Sequence, residues 1–182
     1  MKKFLLFFVI LFSFALITPA QDYEALSYWE KPQNIKVYIP PHKYSVMMKH
    51  AFEYWARVTT HRISFVFVDK KDKAQDIVYF TDKLDGDTVG LMQPYHRIYT
   101  FPNGTQKIEL AYINIYIAEN NSRGEPLTKD AVYTIMLHEI GHSLGLDHTQ
   151  NTDSVMYPMA NGYKNMEVMR EDLNHLKRIY KW

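Results

Sequence analysis

The stretch HEIGHSLGLDH, residues 138–148, leaves this sequence less structural freedom than any other. Val132, Ile135, Met136, Ile140 and Leu144 recur at helical spacing, so residues 131–146 read as a helix, with Thr128 as its candidate N-cap. On that helix His138 and His142 stand one turn apart on one face, where both imidazoles can meet a single ion. His148 lies six residues past His142 and can join them only if the helix stops first. Gly145 supplies the stop, because a residue without Cβ accepts the left-handed backbone of a helix C-terminus. The fold therefore has to place a helix, a sharp reversal and a third histidine around one point.

Three neutral imidazoles with a fourth position open describe a catalytic zinc site rather than a closed structural one. One catalytic zinc ion is the expected cofactor, although nitrogen ligands alone do not exclude cobalt or nickel. Glu139 sits beside the ligand face and is expected to act as general base toward zinc-bound water, then as proton donor to a departing amine. The sequence has no cysteine, which excludes a cysteine nucleophile and any disulfide.

Around this motif the pattern is that of one α/β domain. Residues 34–40 alternate as a first strand, and residues 44–58 form an amphipathic helix with Met48, Ala51, Phe52, Trp55 and Val58 on one face. Ser45 is the candidate cap of that helix. Residues 63–68 and 76–80 read as strands, and residues 89–101 and 106–117 as a hairpin closed by Asn103-Gly104. A loop over 119–130 precedes the histidine helix, and residues 166–181 carry a last helix with Met169, Leu173, Leu176 and Ile179 at helical spacing.

The chain opens with Lys2 and Lys3, an uncharged apolar run over 4–17, and small residues up to Ala20. That order predicts a signal peptide over residues 1–20 and export, either to a periplasm or out of the cell. Its removal takes two lysines from the 21 basic residues and none of the 20 acidic ones, leaving 19 against 20 and a formal charge of −1. Near-neutrality gives no case for nucleic acid as a partner, and after cleavage no transmembrane anchor is expected. The remaining chain is expected to be a monomer acting on a protein or peptide. A competing possibility is a catalytically weak, zinc-containing exported binding protein.

With His138, Glu139, His142, Gly145 and His148 in the order H-E-x-x-H-x-x-G-x-x-H, followed by SVMYP at 154–158, the sequence resembles the metzincin zinc endopeptidases. Within them AFEYWARVTTHRISFVFV, QDIVYF and the MYP turn look most like the matrixins, over residues 27–182. The resemblance implies an α+β zincin-like catalytic domain: a twisted five-stranded mixed sheet with one antiparallel edge, an active-site helix and a small C-terminal subdomain. It implies that Met156 forms an apolar floor beneath the histidines and that Asp172 supports that turn, with Glu171 standing where the family has a paired aspartate. Substrate would run along the edge strand at 89–94, meeting backbone groups of Gly90 and Leu91, while residues 134–135 and 158–160, including Pro158, would border a specificity pocket. The loop DKLDGDTVG holds no histidine for the second zinc usual in animal matrixins; Asp82, Asp85 and Asp87 could bind calcium, or form a solvated turn. The short span from Gln21 to Leu26 leaves no space for a large inhibitory propeptide.

Overall fold

The structure is a computed structural model that describes residues 28–158 and 167–182. Its elements in chain order are β1 (Ile35–Tyr38), α1 (Ser45–Val58), β2 (Phe65–Phe67), β3 (Asp76–Thr81), β4 (Gly90–Thr100), β5 (Gln106–Ala118), α2 (Lys129–Ser143) and α3 (Arg170–Tyr180). The five strands form one sheet in the order β2-β1-β3-β5-β4. β1 pairs in parallel with β2 and β3, and β3 in parallel with β5, while β4 runs antiparallel to β5 and forms the edge. This is the expected mixed α+β sheet with an antiparallel edge.

The alternation read from sequence explains which face is covered. Ile113, Ile115 and Ile117 of β5 and Val78 of β3 are fully buried beneath the helices. Phe52 and Trp55 of α1 fill the same layer, and the Trp55 indole N–H donates to the Leu137 carbonyl at 3.0 Å, tying α1 to α2. α2 is apolar nearly all round and buried between the sheet and the C-terminal part, as a helix without a polar face must be. Thr128 caps it as expected, its hydroxyl accepting from the Ala131 N–H at 3.2 Å.

The hairpin also forms, with the Phe101 N–H donating to the Thr105 carbonyl at 2.9 Å and Gly104 at φ +80°. Two expectations are corrected. Ser45 does not cap α1; the N-cap is Tyr44, without a side-chain bond, and the Ser45 hydroxyl accepts from the His42 N–H and donates to the Pro40 carbonyl, both at 2.7 Å. The diproline turn before the helix uses the serine that the helix would otherwise have used. The last helix begins at Arg170 rather than 166, because Glu167 bridges to Ser154 and the Asp172 carboxylate accepts the Met169 N–H at 2.7 Å. The expected signal peptide over 1–20, residue 27 at the start of the expected domain, and residues 159, 160 and 166 lie outside the described residues.

Candidate metal centre

α2 presents His138 and His142 one turn apart, and its C-terminus reverses as the glycine demands. Leu146 N–H donates to the Gly141 carbonyl at 3.0 Å and Gly145 N–H to the His142 carbonyl at 2.9 Å, with Gly145 at φ +89°. This paired closure is a Schellman motif, with glycine at its left-handed position. It ends the helix at Ser143, three residues before the expected 146, and carries His148 back toward the other two.

The Nε2 atoms of His138 and His142 are 3.0 Å apart, and each is 3.2 Å from Nε2 of His148. The Nδ1 atoms of His138 and His142 lie 2.7 Å from the carbonyls of Val155 and Leu146. A carbonyl can only accept, so each Nδ1 carries the proton and each Nε2 presents a lone pair. Lone pairs that face one another across 3.0 Å repel unless a cation lies between them. Zinc, with bonds of about 2.0–2.1 Å in tetrahedral geometry, places its nitrogens roughly 3.3–3.4 Å apart, within a few tenths of an ångström of this triangle, so small side-chain shifts would seat it. Burial lowers the pKa of His138 to about 4 and also lowers that of His142, which keeps both lone pairs available at neutral pH.

Glu139 is buried beside this triangle, its carboxyl group against the edge strand, where the Met92 N–H donates to it. Burial raises its pKa to about 8 and the Met92 bond opposes that. A divalent cation at the adjacent imidazoles would favour the carboxylate further. Gly90 is needed here because a Cβ at that position would come within 2.6 Å of Ile135 Cγ2 and closer still to Glu139. Gly90, Ile135, His138, Glu139, His148 and Pro158 line one cavity of about 350 Å³. Leu91 is not among its lining residues; strand alternation turns it to the other sheet face, opposite Tyr116, where it is 42% exposed. Thr134 is buried, with its hydroxyl donating to the Asp130 carbonyl at 2.9 Å.

Met156 is fully buried against Gly141, where a side chain on residue 141 would collide with the methionine sulfur and approach Trp55 within 3.1 Å. Its N–H donates to the Ser154 hydroxyl at 2.9 Å, and that hydroxyl donates to Asp172 at 2.9 Å. The turn thus hangs from α3 through Asp172 and offers the Val155 carbonyl to His138. Glu171 accepts from the Thr149 hydroxyl at 3.0 Å. Asp82 and Asp87 accept from Asn120 and Ser122, both at 2.6 Å, clipping the β3–β4 loop to the segment after β5. The only group of three or more His, Cys, Asp or Glu side chains converging for a metal among the described residues is His138, His142 and His148.

Sequence reasoning missed a polar cluster behind the site. Asp76 of β3 is completely buried, accepting from the Trp29 indole N–H at 3.1 Å and facing the Ser143 hydroxyl at 3.5 Å. Tyr28, its neighbour in the chain, packs against Gly145, where a Cβ would come within 2.8 Å of Tyr28 Cβ. Burial raises the Asp76 pKa to about 7, against the pull of both hydrogen bonds.

Comparison with known proteins agrees with this geometry. A protein of Trichoplusia ni ascovirus 2c named after the matrix metalloproteinases is 28% identical over 160 residues, covering 78% of this chain and 30% of its own length. Metalloendoproteinase 1-MMP of Arabidopsis thaliana is 23% identical over 166 residues, 89% of this chain and 44% of its own length. Stromelysin-1 of Equus caballus is 36% identical over 63 residues, 31% of this chain and 13% of its own. The chain thus spans less than half the length of each of these relatives. The matrixin family model matches residues 22–181, nearly the whole sequence. With its three-histidine centre and mixed sheet, this chain belongs to the matrixin family of metzincin zinc endopeptidases.

Proposed function

We propose that this chain is an exported zinc metalloendopeptidase that hydrolyses internal peptide bonds. The observation that carries the reading is the convergence of three imidazole lone pairs beside the buried Glu139, in a cavity whose wall is an open strand edge. Zinc, when bound, would polarise the scissile carbonyl and acidify the attacking water. Glu139 takes the proton from that water and delivers it to the leaving amine nitrogen. Substrate lies extended along β4, with backbone at Gly90 pairing to it by strand addition and Pro158 on the opposite wall; Leu91, whose own N–H and C=O face β5, borders that contact through its side chain. Met156 is the apolar floor that keeps α2 seated, and Gly145 and Asp172 hold the third ligand and the methionine turn in place. Residues 1–20 act as the signal peptide and residues 27–182 as the catalytic domain.

The test is cleavage of a diverse peptide mixture by residues 21–182 and by the same protein carrying Glu139→Ala, with new termini located by mass spectrometry. Wild type should make internal cuts that a zinc chelator abolishes. Glu139→Ala should keep its zinc and melting midpoint but cut at least roughly a hundredfold more slowly. Folded, zinc-loaded wild type that cuts nothing would instead identify a zinc-containing binding protein.

A further inference from the structure

β4 is longer than the cleft needs. It runs eleven residues from Gly90 to Thr100, whereas β3 ends its pairing with β5 at Ile113, so the distal half of the hairpin projects beyond the sheet as a two-stranded ribbon. The bonds at its two ends fix which backbone groups are free. Val89 O accepts from Ala118 N–H and Phe101 N–H donates to Thr105 O, both at 2.9 Å. Alternation between these ends turns the backbone groups of odd-numbered residues toward β5 and those of Gly90, Met92, Ile98 and Thr100 to the edge that no other strand covers among the described residues. Met92 obeys this rule, since its N–H reaches Glu139. Pro94, which has no N–H, stands at an even position where no ladder bond is lost. By the same rule Ile98 and Thr100 present their N–H and C=O groups outward.

Exposed edges of this length are normally guarded by charge, proline or a covering segment. β4 has one proline, Pro94, and one Lys or Arg, Arg97. Its distal end also exposes Ile98 (60%), Tyr99 (38%) and Phe101 (47%). The bulge between Tyr95 and His96 puts the extra residue on β5, so the outer edge of β4 remains continuous. From Gly90 to Ile98 it extends roughly 27 Å from the cleft at about 3.4 Å per residue.

Resting on the proteolytic reading above, we propose that the β4 edge around Ile98–Thr100 is an exosite for the substrate chain. It would pair with an extended segment of the same polypeptide several residues away from the scissile bond. The preferred substrates are then unfolded or extended segments of about ten residues or more, with apolar side chains to lie on Ile98 and Phe101.

One cleaved peptide of about six residues is lengthened stepwise, toward its amino end in one series and its carboxyl end in another, and kcat/KM is measured. In one series wild type should gain about tenfold, the equivalent of about 1.4 kcal/mol. Ile98→Pro, which removes one outward N–H and no ladder bond, should erase the gain and leave the shortest peptide unchanged. Ile98→Val, which keeps both the N–H and an apolar branched side chain, should retain it. Thr100→Pro serves as the second edge variant should Ile98→Pro lower the melting midpoint. Equal kcat/KM at all lengths, or a gain untouched by a folded edge variant, overturns the proposal. If no peptide is cleaved, the proteolytic reading fails, and peptide affinity for Glu139→Ala protein alone decides the edge: tighter binding of the long peptide keeps it, equal binding removes it. A wild-type dimer in sedimentation that Ile98→Pro dissociates would assign the edge to a second copy and overturn the exosite.

Discussion

Asp76→Asn replaces a carboxyl group that is completely buried behind α2 and whose pKa burial raises to about 7, from an ordinary value of 3.8. A folded pKa above the unfolded one means that the native state holds the proton more tightly. The resulting stability is fully present below about pH 4 and is lost as pH rises through about 7. A shift of about three units corresponds to roughly 4 kcal/mol between those limits. The amide cannot ionise, yet its oxygen can still accept from Trp29. Its NH₂ can donate to Ser143, whose hydroxyl proton is engaged by the Ile140 carbonyl at 2.8 Å. Tyr180, the other titratable group acting on Asp76, is held neutral well above this range by burial. Denaturant unfolding of both proteins from pH 4.5 to 8.5, at equal zinc, should give a stability difference that swings toward the variant as pH rises, by about 1.4 kcal/mol per unit at its steepest. His138, His142 and Glu139 titrate in both proteins and drop out of the difference. Parallel curves, or a variant that falls further behind at high pH, would refute the reasoning and make the ionised Asp76 a stabilising partner of Trp29.

Two further outcomes follow from the packing. Met156→Ala empties a fully buried position beside Gly141 and should cost about 2–5 kcal/mol in denaturant while zinc stoichiometry is kept; an unaltered unfolding midpoint would remove the floor role. Gly145→Ala places a Cβ at φ +89° and against Tyr28, so a loss of roughly 2 kcal/mol or more and weaker zinc retention are expected, read by unfolding and by competition with a chelator.

The parts of the molecule legible in its sequence are those written in local chemistry. Thr128, the apolar spacing of α2 and Gly145 specify the helix, its start and its stop within twenty residues, and the three histidines follow from that geometry. Asn103-Gly104 announces the hairpin in the same way. Local reasoning misassigned Ser45, because a helix cap and a turn brace use the same hydroxyl and only the diproline backbone decides between them. It was silent about Asp76, which reads as an ordinary polar residue at the start of a strand until Trp29, 47 positions away, reaches it. The Val155 and Leu146 carbonyls that orient the ligands carry no side-chain signature, and Gly141 is an unspecified position in the motif. Its need for glycine comes from Met156, across a contact that no sequence period encodes.

Tyr28 packs edge-on against Tyr180 at 5.8 Å between ring centres, and the Tyr180 hydroxyl donates to the Leu144 carbonyl at 3.2 Å. One of the earliest described residues and one of the last therefore meet at the corner where α2 ends. During synthesis the histidine helix is complete more than thirty residues before Tyr180 leaves the ribosome. Until then the Leu144 carbonyl and the ring of Tyr28 have lost water without gaining this partner, or stay hydrated with the corner open. A chain emerging in order thus has its three histidines in hand before the Tyr180 contacts that brace the corner between His142 and His148.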